Sequence, residues 1–241
     1  MGPARRGPPI FAAGGRQPLL LAPVMVVGLL GCLAGVHLIR LALAADFDRL
    51  LLIMLGILPV RYLAGDGGML AGMPGGVWAA LPFISYAFLH ADLLHLGINS
   101  AWLLAFGTPV ARRLGGWRFL LFYLVCAALA AGVHVLFNAG SGVVMLGASG
   151  AIAGLMGAAF RLQLPATLDG GRRAPESLTP LYDRRFLLIS LIWISTNVIF
   201  GITGFGAGEQ VRIIAWDAHI GGFAAGVLLI GWFSGAGKRP G

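Results

Sequence analysis

The 241-residue sequence predicts an all-α polytopic membrane protein with six transmembrane helices. Three observations predict it. Hydrophobic residues make up 58% of the chain and charged residues 11%, with a mean hydropathy of +0.87, where a soluble domain carries about 25% charge. Apolar runs long enough to cross about 30 Å of hydrocarbon recur along the chain. The basic residues stand between these runs, so the net charge of +8 suits membrane topology better than a nucleic-acid surface.

Residues 1–18 hold Arg5, Arg6 and Arg16, no acid, and several Gly and Pro, which reads as a flexible basic tail. An Arg-rich, acid-free start also fits an organellar transit peptide. The myristoylation pattern fails, because Arg6 stands where Ser or Thr is needed. The membrane domain is expected over residues 19–235 and a short basic tail with Lys238 and Arg239 over 236–241. Span 1 is residues 19–45, interrupted by His37 and Arg40. Residues 46–80 differ: Asp46, Asp48 and Arg49 precede the apolar run 50–60, followed by Arg61 and a Gly-rich piece with Asp66. That run is too short to cross as a helix, so this first outer loop is expected to be membrane-associated, lying at the interface or re-entering.

Span 2 is placed at 83–107 and carries His90, His95 and Asn99. Span 3 is 119–137. Span 4 is 146–160, short enough to start below the membrane surface. Residues 161–185 form a hydrophilic loop, and spans 5 and 6 are 186–203 and 213–233, joined by the loop 204–212 with Glu209. With the N-terminus in the cytosol, the tail, the 2–3 loop, the 4–5 loop and the C-terminus carry three, three, five and two basic residues, 13 of the 17. The positive-inside rule therefore puts both ends in the cytosol.

Spans 2, 4 and 6 then all run inward, and each has its unusual polar residues in its first half: His90, His95 and Asn99; Ser149; His219. At 1.5 Å per residue these groups can share one depth. Polar groups in a membrane need partners or water, and clustering supplies them. Gly150 and Gly154 in span 4, with Ala218, Gly222 and Gly226 in span 6, give small residues at four-residue spacing that let two helices approach.

The chemistry this permits is nucleophilic. A serine hydroxyl needs a base, and an imidazole titrating near neutral pH is a suitable one, so Ser149 and His219 form a candidate dyad. Asn99, His95 one turn before it, and the Ser149 backbone N–H are candidate donors to an oxyanion, with the span 4 dipole adding to them. Asp217 lies beside His219, but adjacent helix residues point apart, so it reads as a helix cap or an interfacial charge. Cys32, Cys126, His37 and His134 fall outside these motifs and read as core or interfacial residues, with no disulfide or metal spacing.

These residues resemble the rhomboid family of intramembrane serine proteases. The matching segments are His90-Ala-Asp-Leu-Leu-His95-Leu-Gly-Ile-Asn99, Gly147-Ala-Ser149-Gly150 and Ala218-His219-Ile-Gly-Gly222 with Gly226, in the family's order over residues 83–227. The resemblance implies a six-helix rhomboid-like bundle in which Ser149 attacks a peptide bond in or near a transmembrane segment and His219 is base and then acid. It implies His95, Asn99 and the Ser149 N–H as oxyanion donors, a tight turn at Gly147, and a structural or water-organising His90. It implies single-span or multi-span membrane-protein substrates in the lipid bilayer, with no cofactor, metal ion or nucleic acid. A bacterial plasma membrane is the simplest home, and a mitochondrial inner membrane the alternative. Two departures stand out. Residues 46–80 lack the Trp-Arg pair that many members carry, and Ala111 stands where many have Glu at the cytosolic end of span 2.

Other classes fit less well. A transporter would use buried His and Asn as an ion path, but spans 3–5 hold no carboxylate, the one in span 2 is Asp92 in its first half, and no inverted repeat is visible. A scaffold that binds client helices would have no activated serine. Zinc proteases need His-Glu-x-x-His, which is absent. Aspartyl types need paired intramembrane aspartates, and a soluble hydrolase elbow needs Gly where Ala151 stands.

Overall fold

A computed structural model describes residues 22–63, 77–168, 178–203 and 215–235. The expected tails at 1–18 and 236–241, the Gly-rich piece with Asp66 and the loop 204–212 lie outside the described residues. The described chain is helical throughout, with one isolated antiparallel bridge between Ile57 and Met145. Five helical stretches are long and apolar enough to cross a membrane, and a shorter apolar one covers Ser149–Leu162. The chain is an all-α, multi-pass membrane protein.

Helix α1 (Val24–Leu41) starts after Pro23, which disfavours helix in the residue before it. The chain turns at Ala42 and re-enters helix as α2 (Ala45–Leu55), where Asp46 and Asp48 suit the positive N-terminal end. Arg40, near the end of α1, pairs with Asp48 of α2 through bonds of 2.7 and 2.9 Å. Its remaining nitrogen donates to the His90 carbonyl at 2.6 Å, so one guanidinium ties three segments together. The apolar run expected at the interface is thus α2 followed by an extended turn and α3 (Val60–Leu63).

Span 2 differs from its expected limits. Residues 77–88 form two short helices, α4 (Val77–Ala80) and α5 (Pro82–Ser85), and a 3-10 turn, Tyr86–Phe88. The membrane-crossing helix starts at α6 (Leu93–Trp102), where the Asp92 side chain accepts from the His95 N–H at 2.7 Å. That carboxylate satisfies a donor that the helix itself leaves unpaired, so the helix begins there rather than at residue 83. It continues through a π turn, Leu103–Gly107, into α7 (Thr108–Leu114). Gly115, at φ +77°, separates α7 from α8 (Gly116–Phe137).

Helix α9 (Ser149–Leu168) is central, packing against α6, α7, α8, α10 (Arg184–Thr203) and α11 (Trp216–Ser234). Residues 151–159 are buried without a break. Alanine and glycine make this possible. A Cβ on Gly222 would collide with the Gly150 carbonyl, and one on Gly226 with the Gly154 carbonyl. A Cβ on Gly154 would lie 2.6 Å from Cys126 and one on Gly150 2.8 Å from Ala130. Backbone therefore meets backbone between α9 and α11, with α8 closing the third side. Cys126 lies in this contact, whereas Cys32 is exposed on α1 and is not a core residue.

Candidate active site

The segment leading into α9 is held before it turns. Ile57 and Met145 exchange backbone hydrogen bonds of 2.9 and 2.8 Å, and Val60 N–H donates to Ser141 at 3.0 Å. Gly147 N–H then donates to the Tyr86 carbonyl at 3.0 Å. Tyr86 is itself fixed, its hydroxyl donating to the Ala127 carbonyl at 2.9 Å. Gly147 has φ +124°, a conformation that side chains rarely adopt. A Cβ there would also stand 2.7 Å from His95 Cε1 and 2.8 Å from Nε2. The missing side chain allows both the turn and the close approach of the His95 ring.

Two residues on, Ser149 is the first residue of α9, so its N–H has no partner in its own helix. Across the close α9–α11 contact, His219 Nε2 lies 2.8 Å from Ser149 Oγ. The other ring nitrogen, Nδ1, lies 2.9 Å from Asn197 Oδ1 on α10. Span 2 supplies the facing wall. Asn99 is 3% exposed, and its Nδ2 has no hydrogen-bond partner among the described residues. That atom is 3.9 Å from where a Gly147 Cβ would be. His95 Nδ1 takes a long 3.5 Å bond from the Ala91 N–H, which directs its Nε2 towards Gly147. His90 is fully buried in the link before α6, its ring edge-on to His95 with centroids 5.1 Å apart. Ser149, His219, Gly147, His95 and Asn99 thus come together, and His90 sits behind His95.

One residue near the site was not singled out from sequence, and one was read incompletely. Asn197 lies in the middle of an apolar span, and an amide there needs a partner, which was a readable signal. Asp217 is buried rather than interfacial: its carboxylate accepts from the Ala218 N–H in the first turn of α11 at 2.8 Å, as a cap does, and it also lies 2.9 and 3.1 Å from His134 Nδ1 and accepts from Asn138 Nδ2. His134 is therefore a paired histidine, and the pair joins the C-terminal end of α8 to the N-terminal end of α11.

A bundle of apolar helices with a serine–histidine hydrogen bond at a small-residue helix contact defines a polytopic membrane protein with a hydrolase-like site. The family model described as Rhomboid domain matches residues 74–236. The chain is 31% identical over 150 residues to the rhomboid protease GlpG of Serratia proteamaculans, covering 62% of this chain and 47% of that protein. It is 28% identical over 193 residues to the rhomboid protease GlpG of Yersinia enterocolitica, covering 76% and 60%. The GlpG of Yersinia pestis (strain Pestoides F) is 31% identical over 150 residues, covering 62% and 47%. The chain belongs to the rhomboid family. It spans about half the length of the curated relatives it matches.

Proposed function

We propose that the protein is an intramembrane serine endopeptidase that hydrolyses peptide bonds in or near transmembrane segments through a Ser149–His219 dyad. The observation that carries this reading is the 2.8 Å hydrogen bond from Ser149 Oγ to His219 Nε2, joining α9 to α11. Ser149 Oγ adds to the scissile carbonyl carbon while its proton passes to Nε2. The tetrahedral oxyanion faces the Ser149 N–H, the unpartnered Asn99 Nδ2 and the His95 ring. Its collapse breaks the C–N bond, and His219 returns the proton to the leaving amine. Water, deprotonated by His219, then hydrolyses the acyl-enzyme and restores the serine.

The substrates are single-span or multi-span membrane proteins whose cleavage site becomes extended before attack. Segments with Gly or Pro near the outer face are the better substrates, because they unwind most readily. They enter sideways beside α10, the least buried of the five candidate spans among the described residues, which exposes Leu187, Leu188, Leu191 and Ile192. The protein sits in the bacterial inner membrane with both termini cytosolic. The test is cleavage of a single-span reporter in detergent by wild type, Ser149→Ala and His219→Ala. Both variants are expected to lose cleavage, and undiminished cleavage by either sinks the dyad.

A further inference from the structure

Asn197 stands on α10, the span least enclosed by the rest of the chain, yet its amide is held at both ends. Nδ2 donates to the Trp193 carbonyl one turn back at 2.9 Å, and Oδ1 lies 2.9 Å from His219 Nδ1. Reversing the amide would set Oδ1 against a carbonyl oxygen, two acceptors facing each other, so the orientation is specified. Its neighbours on the same face also reach α11. The Trp193 ring stacks on Phe223 with centroids 4.5 Å apart and planes at 19°. A Cβ at Gly201 would stand 2.5 Å from Trp216 Cγ. Residues 193, 197 and 201 are thus one four-residue ladder, with the amide as its middle rung.

We propose that Asn197 is a positioning residue for His219, acting as the neutral third member of a serine–histidine–asparagine arrangement. This rests on the reading of Ser149 and His219 as the catalytic pair. An amide oxygen can only accept, so the neutral imidazole must carry its proton on Nδ1. Nε2 is then the unprotonated nitrogen, and it is the one 2.8 Å from Ser149 Oγ. The same bond fixes the ring plane, and it persists when Nε2 takes the serine proton, since Nδ1–H still donates.

Kinetics of reporter cleavage by Asn197→Leu and Asn197→Asp, with Ser149→Ala and His219→Ala alongside, test the role. Asn197→Leu keeps the branched shape and removes the acceptor; kcat is expected to fall about 10–100-fold, the range found when the supporting partner of a metal-bound histidine is removed, with KM unchanged. Asn197→Asp restores an acceptor and is expected to recover most of kcat. Full kcat in Asn197→Leu overturns the proposal, as does an equal loss in Asn197→Asp with both variants folded. Nitrogen NMR of the 15N-histidine-labelled wild-type chain in detergent gives a reading that needs no change at Asn197. His219, assigned by the signal missing in His219→Gln, is expected as the Nδ1–H tautomer, and the Nε2–H tautomer overturns the proposal. Should Ser149→Ala still cleave, the Ser149–His219 dyad falls, while the tautomer still decides whether Asn197 holds His219.

Discussion

Gly147 concentrates more constraints than any other residue near Ser149. Its N–H is tied to Tyr86, its φ is +124°, and the His95 ring occupies the space where a side chain would begin. A methyl group there meets two penalties at once. The backbone strain alone costs about 1–3 kcal/mol. The clash with His95 at 2.7 Å then displaces either the ring or the turn that presents Ser149. Gly147→Ala is therefore expected to lower the unfolding temperature in detergent and to cut reporter cleavage about 100-fold, as a misplacement near 1 Å does. Cleavage within twofold of wild type would show that the turn tolerates a side chain. The site was legible at this scale where a residue's type was out of place in lipid. Ser149, His219, His95 and Asn99 were readable because each is a polar group at the corresponding depth of a parallel span. Asp217 was read only in part: its bond to the Ala218 N–H is local, whereas its other partners, His134 and Asn138, are about 80 residues away in sequence, and neighbouring positions say nothing about such a pairing.

Among the elements, the contact between α9 and α11 decides whether the dyad exists. Glycines on the two helices meet backbone to backbone, and this proximity is what lets a serine and an imidazole bridge the gap in one hydrogen bond. Gly222→Ala and Gly226→Ala push a methyl group into the facing carbonyl, so α11 must withdraw, carrying His219 with it. Each is expected to destabilise the protein by about 1–3 kcal/mol, as overpacking does, and to reduce cleavage by more than that loss of folded protein explains. Gly28→Ala and Gly35→Ala are the controls, since a Cβ at either meets nothing within 4 Å. They remove helix-interior glycines from α1 and should be neutral or stabilising by up to about 1 kcal/mol. Equal effects in both pairs, measured by thermal unfolding and reporter cleavage, would remove the α9–α11 contact from the argument. The four-residue spacing of these small residues was visible in the sequence. The start of α6 was less so: hydropathy runs through residues 83–92 without a break, and the boundary depends on one carboxylate, Asp92, whose capping bond a hydropathy window does not register.

For the molecule as a whole, the loops sort into two sets by contact as well as by charge. The segment 57–60 pairs with 141–145 through Ile57, Met145, Val60 and Ser141, so the first loop and the α8–α9 loop share one face of the bundle. Arg112 and Arg113 in α7 and Arg161 in α9 lie towards the opposite ends of their helices. Arg161 donates to the Val227 carbonyl in the second half of α11 at 2.8 Å and to the Thr179 carbonyl at 3.2 Å, tying the α9–α10 connection to that second face. Among the described residues, Arg112, Arg113 and Arg161, which the positive-inside rule counts on the cytosolic side, lie on this second face. If that rule sets the orientation, the face holding Met145 is external and the face holding Arg161 is cytosolic. Two exposed positions separate these assignments: Val143, 54% exposed between α8 and α9, and Tyr182, 83% exposed between α9 and α10. In a Cys32→Ala background, with Cys126 left buried, a membrane-impermeant maleimide added to intact spheroplasts is expected to label Val143→Cys and to spare Tyr182→Cys. After lysis both should label. The reverse pattern in spheroplasts would turn the protein over, placing the Ser149 end of the bundle at the cytosolic surface.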